Sequence, residues 1–154
     1  MRPEGKVVLD EIDKRIIEQL QQDGRRPYTQ IGPAVGLSEA AVRQRVQRLT
    51  ESGVMQIVGV TDPKMVGFGR QAMIGLTVEG DTRKVADAVA ALDEVVYVVL
   101  TAGSLDVLVE VVVKDDEHLL ELLNNKIRSI DGVRDTETFL YLRIHKETYA
   151  WGAP

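Results

Sequence analysis

The chain has no cysteine and only two histidines, His118 and His145. The first absence excludes disulfides, thiolate catalysis and any cysteine-ligated zinc or iron–sulfur centre. The second argues against a histidine-rich metal site, because the pair is widely separated in sequence. No metal and no cofactor is expected. No apolar run reaches the roughly 18 residues needed to span a bilayer, and residues 1–6 lack the apolar core and cleavage signal of an export peptide. The expectation is therefore a cytoplasmic protein with no membrane partner. What is present is ordinary for a folded chain: 154 residues, 44% hydrophobic and 28% charged, enough for one domain of common size or two small ones.

Charge is divided unevenly. Residues 1–60 carry nine basic and eight acidic side chains, whereas residues 61–154 carry ten basic and sixteen acidic. The first part can approach a polyanion and the second would be repelled by one. Within the first part, residues 25–49 hold Arg25, Arg26, Arg43, Arg45 and Arg48 against a single acid, Glu39, in a chain of net charge −5. A basic island in an acidic chain is the footprint of a surface that meets phosphates.

Periodicity places that island on helices. Leu9, Ile12, Ile16, Ile17 and Leu20 form an apolar stripe of helical period, stopped by Gly24. A short helix starts near Tyr28 and ends by Gly36, and Pro33 is tolerable in it only if it falls in the first turn. Ser38 is a good N-cap for a third helix running to Gly53, with Val42, Val46 and Leu49 as its buried face. Helix, short helix, glycine-containing turn and helix make a helix-turn-helix. Residues 54–60 read as a strand, which would be the wing after the third helix.

Beyond a linker at 61–70 the pattern is strand 71–79, helix 82–92, strand 95–101, strand 105–114, helix 116–130 and strand 133–145. This βαββαβ order is ferredoxin-like, an α/β sandwich, with Gly103-Ser104 as a two-residue Gly-X hairpin turn. The fold class is α+β: a winged helix-turn-helix over 1–60, then a ferredoxin-like domain over 71–154. Residues 95–100 are apolar throughout, and 105–113 are apolar except at Asp106 and Glu110. Two helices cover only one face of a sheet, so such strands call for a cover on the other, most simply a second copy of the chain. Tyr149 and Trp151 are expected to pack the tail onto the body or a partner.

Several segments resemble the DNA-binding half of Lrp/AsnC (feast/famine) transcriptional regulators: residues 9–13 (Leu-Asp-Glu-Ile-Asp), Asp23-Gly24-Arg25, Val35-Gly36-Leu37-Ser38, residues 42–49 and Gly53-Val54. Residues 101–106 and 132–138 resemble the ligand-sensing half of the same family. The resemblance runs from about residue 8 to 148. It implies a non-enzymatic regulator that binds double-stranded DNA as a homodimer, often built into octamers, with a small effector, usually an amino acid, changing assembly or DNA affinity. Two alternatives stand beside it. Some proteins of this layout decarboxylate haem-precursor tetrapyrroles, and others organise the nucleoid without an effector.

Candidate residues follow from helical and strand geometry. On the third helix Ala40, Gln44, Gln47 and Arg48 project away from the buried face, Arg43 flanks it and Ser38 caps it. Glutamine suits adenine and arginine suits guanine or phosphate. Arg45 lies nearer the core, where an ion pair and a phosphate contact are both open. Arg25 and Arg26 suit phosphate clamping. For an effector, Asp106 is a carboxylate in an apolar strand and needs a partner such as a ligand ammonium or a neighbouring chain's arginine. Glu110 shares its strand face. Thr101 belongs to the same segment, Ala102, Gly103 and Ser104 offer backbone donors, and Thr136 and Thr138 could meet a ligand carboxylate.

Overall fold

The computed structural model describes residues 7–154; residues 1–6, where no export signal is read, lie outside the described residues. The chain forms two compact units. One comprises residues up to Val60 together with Lys146–Pro154, and the other Thr61–His145.

The first unit holds α1 (Glu11–Gln22), α2 (Tyr28–Val35) and α3 (Glu39–Glu51). Asp10 caps α1 in a capping box with Asp13, and Ser38 caps α3 by accepting from the Ala41 N–H. Such caps satisfy N–H groups that a helix end leaves open. Ile16, Leu20, Ile31, Val35, Val42 and Val46 form one core. The turn between α2 and α3 depends on Gly36, whose φ of 77° is left-handed and whose N–H donates to the Gly32 carbonyl. Pro33 departs from expectation. It is the sixth residue of α2, not a first-turn residue. It is exposed, so its ring points to solvent, and the helix ends within three residues.

Two further expectations are corrected here. Residues 54–60 form no strand: a strand exists only within a ladder, and this segment pairs with none among the described residues. The Val54 and Met55 N–H groups instead donate to the Leu49 carbonyl, and Val58 and Val60 stay exposed, so the wing strand is missing. Lys146–Pro154 group with the first compact unit, where Gln21 and Gly152 exchange hydrogen bonds. Trp151 is not packed down; it is 75% exposed.

The second unit begins with a 3-10 turn at Pro63–Val66, inside the segment read as a linker. It continues with β1 (Arg70–Val78), α4 (Thr82–Ala90), β2 (Val95–Leu100), β3 (Val107–Val113), α5 (Asp116–Glu121, running on as a π-helical stretch Leu122–Ile127) and β4 (Val133–Leu140). The strands form an antiparallel sheet in the order β2-β3-β1-β4. Strand β4 stops at Leu140, short of the expected 145. Ala72, Ile74, Leu76, Val107, Val109 and Val111 face Val85, Val89, Leu122 and Ile127 of the helices. The opposite face carries Met73, Gly75, Val99, Leu108, Val112, Tyr97 and Phe139, the last two 52% and 46% exposed. Gln71, Glu110 and Glu137 share this face, so one chain leaves a mostly apolar sheet face open.

An ion cluster ties the residue just before β2 to α5 and its π-helical extension. Glu94, 10% exposed, accepts from Lys126 Nζ at 2.5 Å and faces His118 Nε2 at 3.1 Å. Burial pushes the Glu94 carboxyl up, and hydrogen bonds from Lys126 and His118 outweigh it, leaving the group lowered from 4.5 to about 2. A carboxyl held lower in the folded chain than in the unfolded one contributes stability that is present above about pH 4.5 and lost as pH falls towards 2. The lowering corresponds to roughly 3 kcal/mol at neutral pH. Glu94→Gln should lose stability of that order near neutrality and little near pH 2, as measured by urea unfolding at both. An equal loss at the two pH values would show that the charge is not what stabilises.

Candidate nucleic-acid interface and effector loop

Helix α3 presents its polar face as the stripe geometry requires. Ala40, Arg43, Gln44, Gln47 and Arg48 are exposed while Val42, Val46 and Leu49 are buried. Gln44 has no side-chain partner among the described residues. Arg43 donates to Glu39 at 2.6 Å and lies 5.3 Å over the Tyr28 ring. Gln47 donates to Glu51 at 2.7 Å. These pairs at helical spacing are weak, each worth about 0.2–0.5 kcal/mol, and give way readily to a base edge.

Arg45 and Arg48 are held more firmly. Arg45 donates to Asp10 at 2.7 Å and to Asp13 at 2.8 Å, and Arg48 donates to Asp13 at 2.6 Å. For Arg45 the structure selects the ion pair. Burial raises the Asp13 carboxyl, and the Arg45 and Arg48 hydrogen bonds outweigh it, so the net shift is downward. Asp10 is lowered by the Arg45 hydrogen bond and then by the Asp13 N–H. Asp10, Gln44, Arg45, Gln47, Arg48 and Glu51 line an open depression of about 570 Å³.

Before α2, Arg25 is exposed and its guanidinium has no partner among the described residues; its N–H closes a turn on Asp23. Arg26 is half-buried and bonded to Gln19, which leaves it less free than Arg25. Tyr28, Asp10 and Asp13 were not singled out by sequence as parts of this surface. Asp13 carried a signal: at four residues after Leu9 and three before Ile16, it sits on the apolar stripe, where a carboxylate demands a cation.

In the second unit the β2–β3 connection is wider than a two-residue turn. The Thr101 N–H donates to the Asp106 carbonyl at 2.9 Å, closing a loop whose tip is Ala102, Gly103, Ser104 and Leu105. Gly103 does not have the positive φ of a Gly-X hairpin turn. The loop is pinned to β1: the Asp106 N–H donates to Leu76, and Asp106 Oδ2 accepts from the Val78 N–H at 2.8 Å. Leu105 lies across Gly75, where an added Cβ would stand 2.3 Å from its Cδ1. The Thr101 hydroxyl donates to the Leu105 carbonyl. Asp106 is therefore not an unpaired charge. At the tip, the N–H groups of Ala102, Gly103 and Ser104 have no partner among the described residues.

Other predicted effector residues lie apart from this loop. Thr136 and Thr138 stand opposite Leu76 and Ile74 in β4, on the helix-covered side, and Thr136 accepts from Arg128 at 3.0 Å. Two strand spacings, about 10 Å, separate β4 from β3, so one chain does not bring these threonines to the loop. Glu110 accepts from Gln71 at 2.8 Å. A depression of about 390 Å³ lies elsewhere in this unit, lined by Val66, Phe68, Val96, Val112, Glu94 and His118, with none of the predicted effector residues.

Comparison with known proteins gives concordant results. Residues 9–50 match the AsnC-type helix-turn-helix domain, and residues 71–151 match the Lrp/AsnC ligand binding domain. Over 143 residues the chain is 38% identical to the HTH-type transcriptional regulator FL11 of Pyrococcus furiosus, covering 92% of this chain and 94% of that protein. The structure is similar to that of E. coli AsnC, with a TM-score of 0.81, 25% identity, and 92% and 97% of the two chains covered. It also shares its fold with a Neisseria meningitidis transcriptional regulator solved as an L-Met complex, with a TM-score of 0.82, 24% identity, and 93% and 96% covered.

Proposed function

Because the chain belongs to the Lrp/AsnC family of transcriptional regulators, we propose that it reads specific DNA sequences through α3 and that a small effector, an amino acid, tunes its assembly or its hold on DNA. The observation that carries the first part is the exposed face of α3. Ala40 leaves room for close approach, Gln44 is unengaged, Arg43 and Gln47 are held only by weak neighbours, and Ser38 fixes the helix start. Arg25 and Arg26 precede α2 and supply phosphate contacts that position the protein without reading sequence. Sequencing the duplexes that the purified protein enriches from a randomised pool tests this. A reproducible motif is expected, and no enrichment over the input pool would refute sequence-specific binding.

For the effector, support comes from the loop tip. Free N–H groups at Ala102, Gly103 and Ser104 suit a ligand carboxylate, and Asp106 beside them suits an ammonium. Thr101 completes the loop, and Thr136 and Thr138 can take part only from another copy of the chain. The open sheet face supports a homodimer, which can build to an octamer. Since Asp106 also holds the Val78 N–H, the informative variant is Asp106→Asn, which keeps an acceptor there and removes the charge. Calorimetric titration of each amino acid should show one that binds wild type and binds Asp106→Asn at least tenfold more weakly, while ligand-free DNA binding is unchanged. Equal affinity in both proteins would remove Asp106 from the site.

A further inference from the structure

Asp13 is the one buried charged side chain among the described residues, 1% exposed, and it sits on the apolar stripe of α1. Both oxygens are in use. Oδ1 accepts from Arg45, and Oδ2 accepts from Arg48 and, at 3.3 Å, from the Asp10 N–H. Arg45 and Arg48 belong to α3, and their side chains are 27% and 50% exposed. They line the same depression as Gln44 and Gln47. Two arginines on the DNA-facing helix thus begin from a carboxylate fixed by a different helix.

We propose that Asp13 is a positioning residue for DNA recognition: it fixes Arg45 and Arg48 and, with Asp10 on Arg45, offsets their charge, while Arg48 keeps free N–H groups for a base edge. This rests on the reading of α3 as the recognition helix. A free arginine accepts any phosphate, and each such contact adds to non-specific affinity and to its salt dependence. An arginine whose charge is already offset by a carboxylate gains little from a phosphate, because the contact adds no net charge neutralisation and so little counterion release. It gains from a guanine edge, where a bidentate contact can form beside Gln44 and Gln47 without release of the carboxylate. Fixing the guanidinium beforehand also reduces the ordering cost of that contact. Asp13 therefore acts on the ratio of specific to non-specific binding, through Arg48 and with Arg45 as its second anchor.

The test compares the duplex that the wild-type protein enriches from a random pool with a scrambled version, each titrated over a range of NaCl. Asp13→Asn should bind the scrambled duplex about tenfold more tightly at low salt, with a log–log salt slope steeper by about one phosphate contact. Its preference for the enriched duplex should fall about tenfold. Arg48→Gln leaves Asp13 paired with Arg45 and keeps the test open if Asp13→Asn folds poorly. It should lower affinity for the enriched duplex and leave the slope on the scrambled duplex unchanged, because Arg48 is already neutralised there. A scrambled-duplex slope that drops by about one contact in Arg48→Gln, as loss of a free arginine requires, overturns the proposal. So does an Asp13→Asn protein that keeps the wild-type slope and preference, or that loses affinity for both duplexes only in proportion to its unfolded fraction by circular dichroism. A wild-type protein that enriches no motif overturns the reading of α3 itself, a result distinct from these.

Discussion

Alanine at Arg43, Gln44 and Gln47 together is expected to reduce affinity for the selected duplex by about a thousandfold, down to the level shown for any duplex. All three are exposed on α3, and the unit's core is built from Val42, Val46 and their partners on α1 and α2. The variant loses only the pairs with Glu39 and Glu51 and the contact with the Tyr28 ring, so the fold should persist. Each base contact is worth about 1–3 kcal/mol of discrimination, and three of them span the gap between specific and non-specific binding. Arg25→Ala should behave differently. Its guanidinium sits on the turn before α2, so its loss should weaken all duplexes alike and flatten the salt slope by about one contact. Electrophoretic mobility shifts over a salt series separate the two. A triple variant that retains both affinity and preference would mean that α3 does not read DNA.

The helices α1 and α3 were legible because each carries three signals at once, an apolar stripe, a cap and a stop, whereas α2 has no side-chain cap and was bounded by Gly36. Ser38, Gly36 and Gly53 fall where the structure needs a cap and two left-handed residues. Residues 54–60 misled because β-branched composition reports fitness for a sheet, while a strand also needs a neighbour, and the segment pairs with none among the described residues. The sheet order was readable from alternating periods, but loop geometry was not. Gly103-Ser104 has the composition of a tight turn, yet Asp106 reaches the Val78 N–H and Leu105 covers Gly75, long-range contacts that widen the loop. The exposed polar face of α3 followed from helical geometry alone. Its electrostatic support did not, because Asp13 and Arg48 are thirty-five residues apart and meet only when α1 packs on α3.

Leu108→Arg is expected to convert a dimer into a folded monomer. Leu108 stands opposite Gly75 and Val99 near the middle of the open sheet face. Its neighbours Val107 and Val109 point the other way, into the helix-covered core, so the substitution spares the interior of the unit. A two-fold interface built on this face would contain the change twice. Desolvating each unpaired guanidinium costs several kcal/mol before the side chain finds a route to water. Even a net penalty of about 4 kcal/mol weakens the dimer constant about a thousandfold. Leu120→Arg is the control: Leu120 is 50% exposed on α5, away from the sheet, and should leave the dimer intact. Light scattering at micromolar concentration, with circular dichroism to confirm folding, measures all three proteins. A wild-type monomer with native circular dichroism would show that the open face needs no partner, and a Leu108→Arg dimer as tight as wild type would show that the partner sits elsewhere.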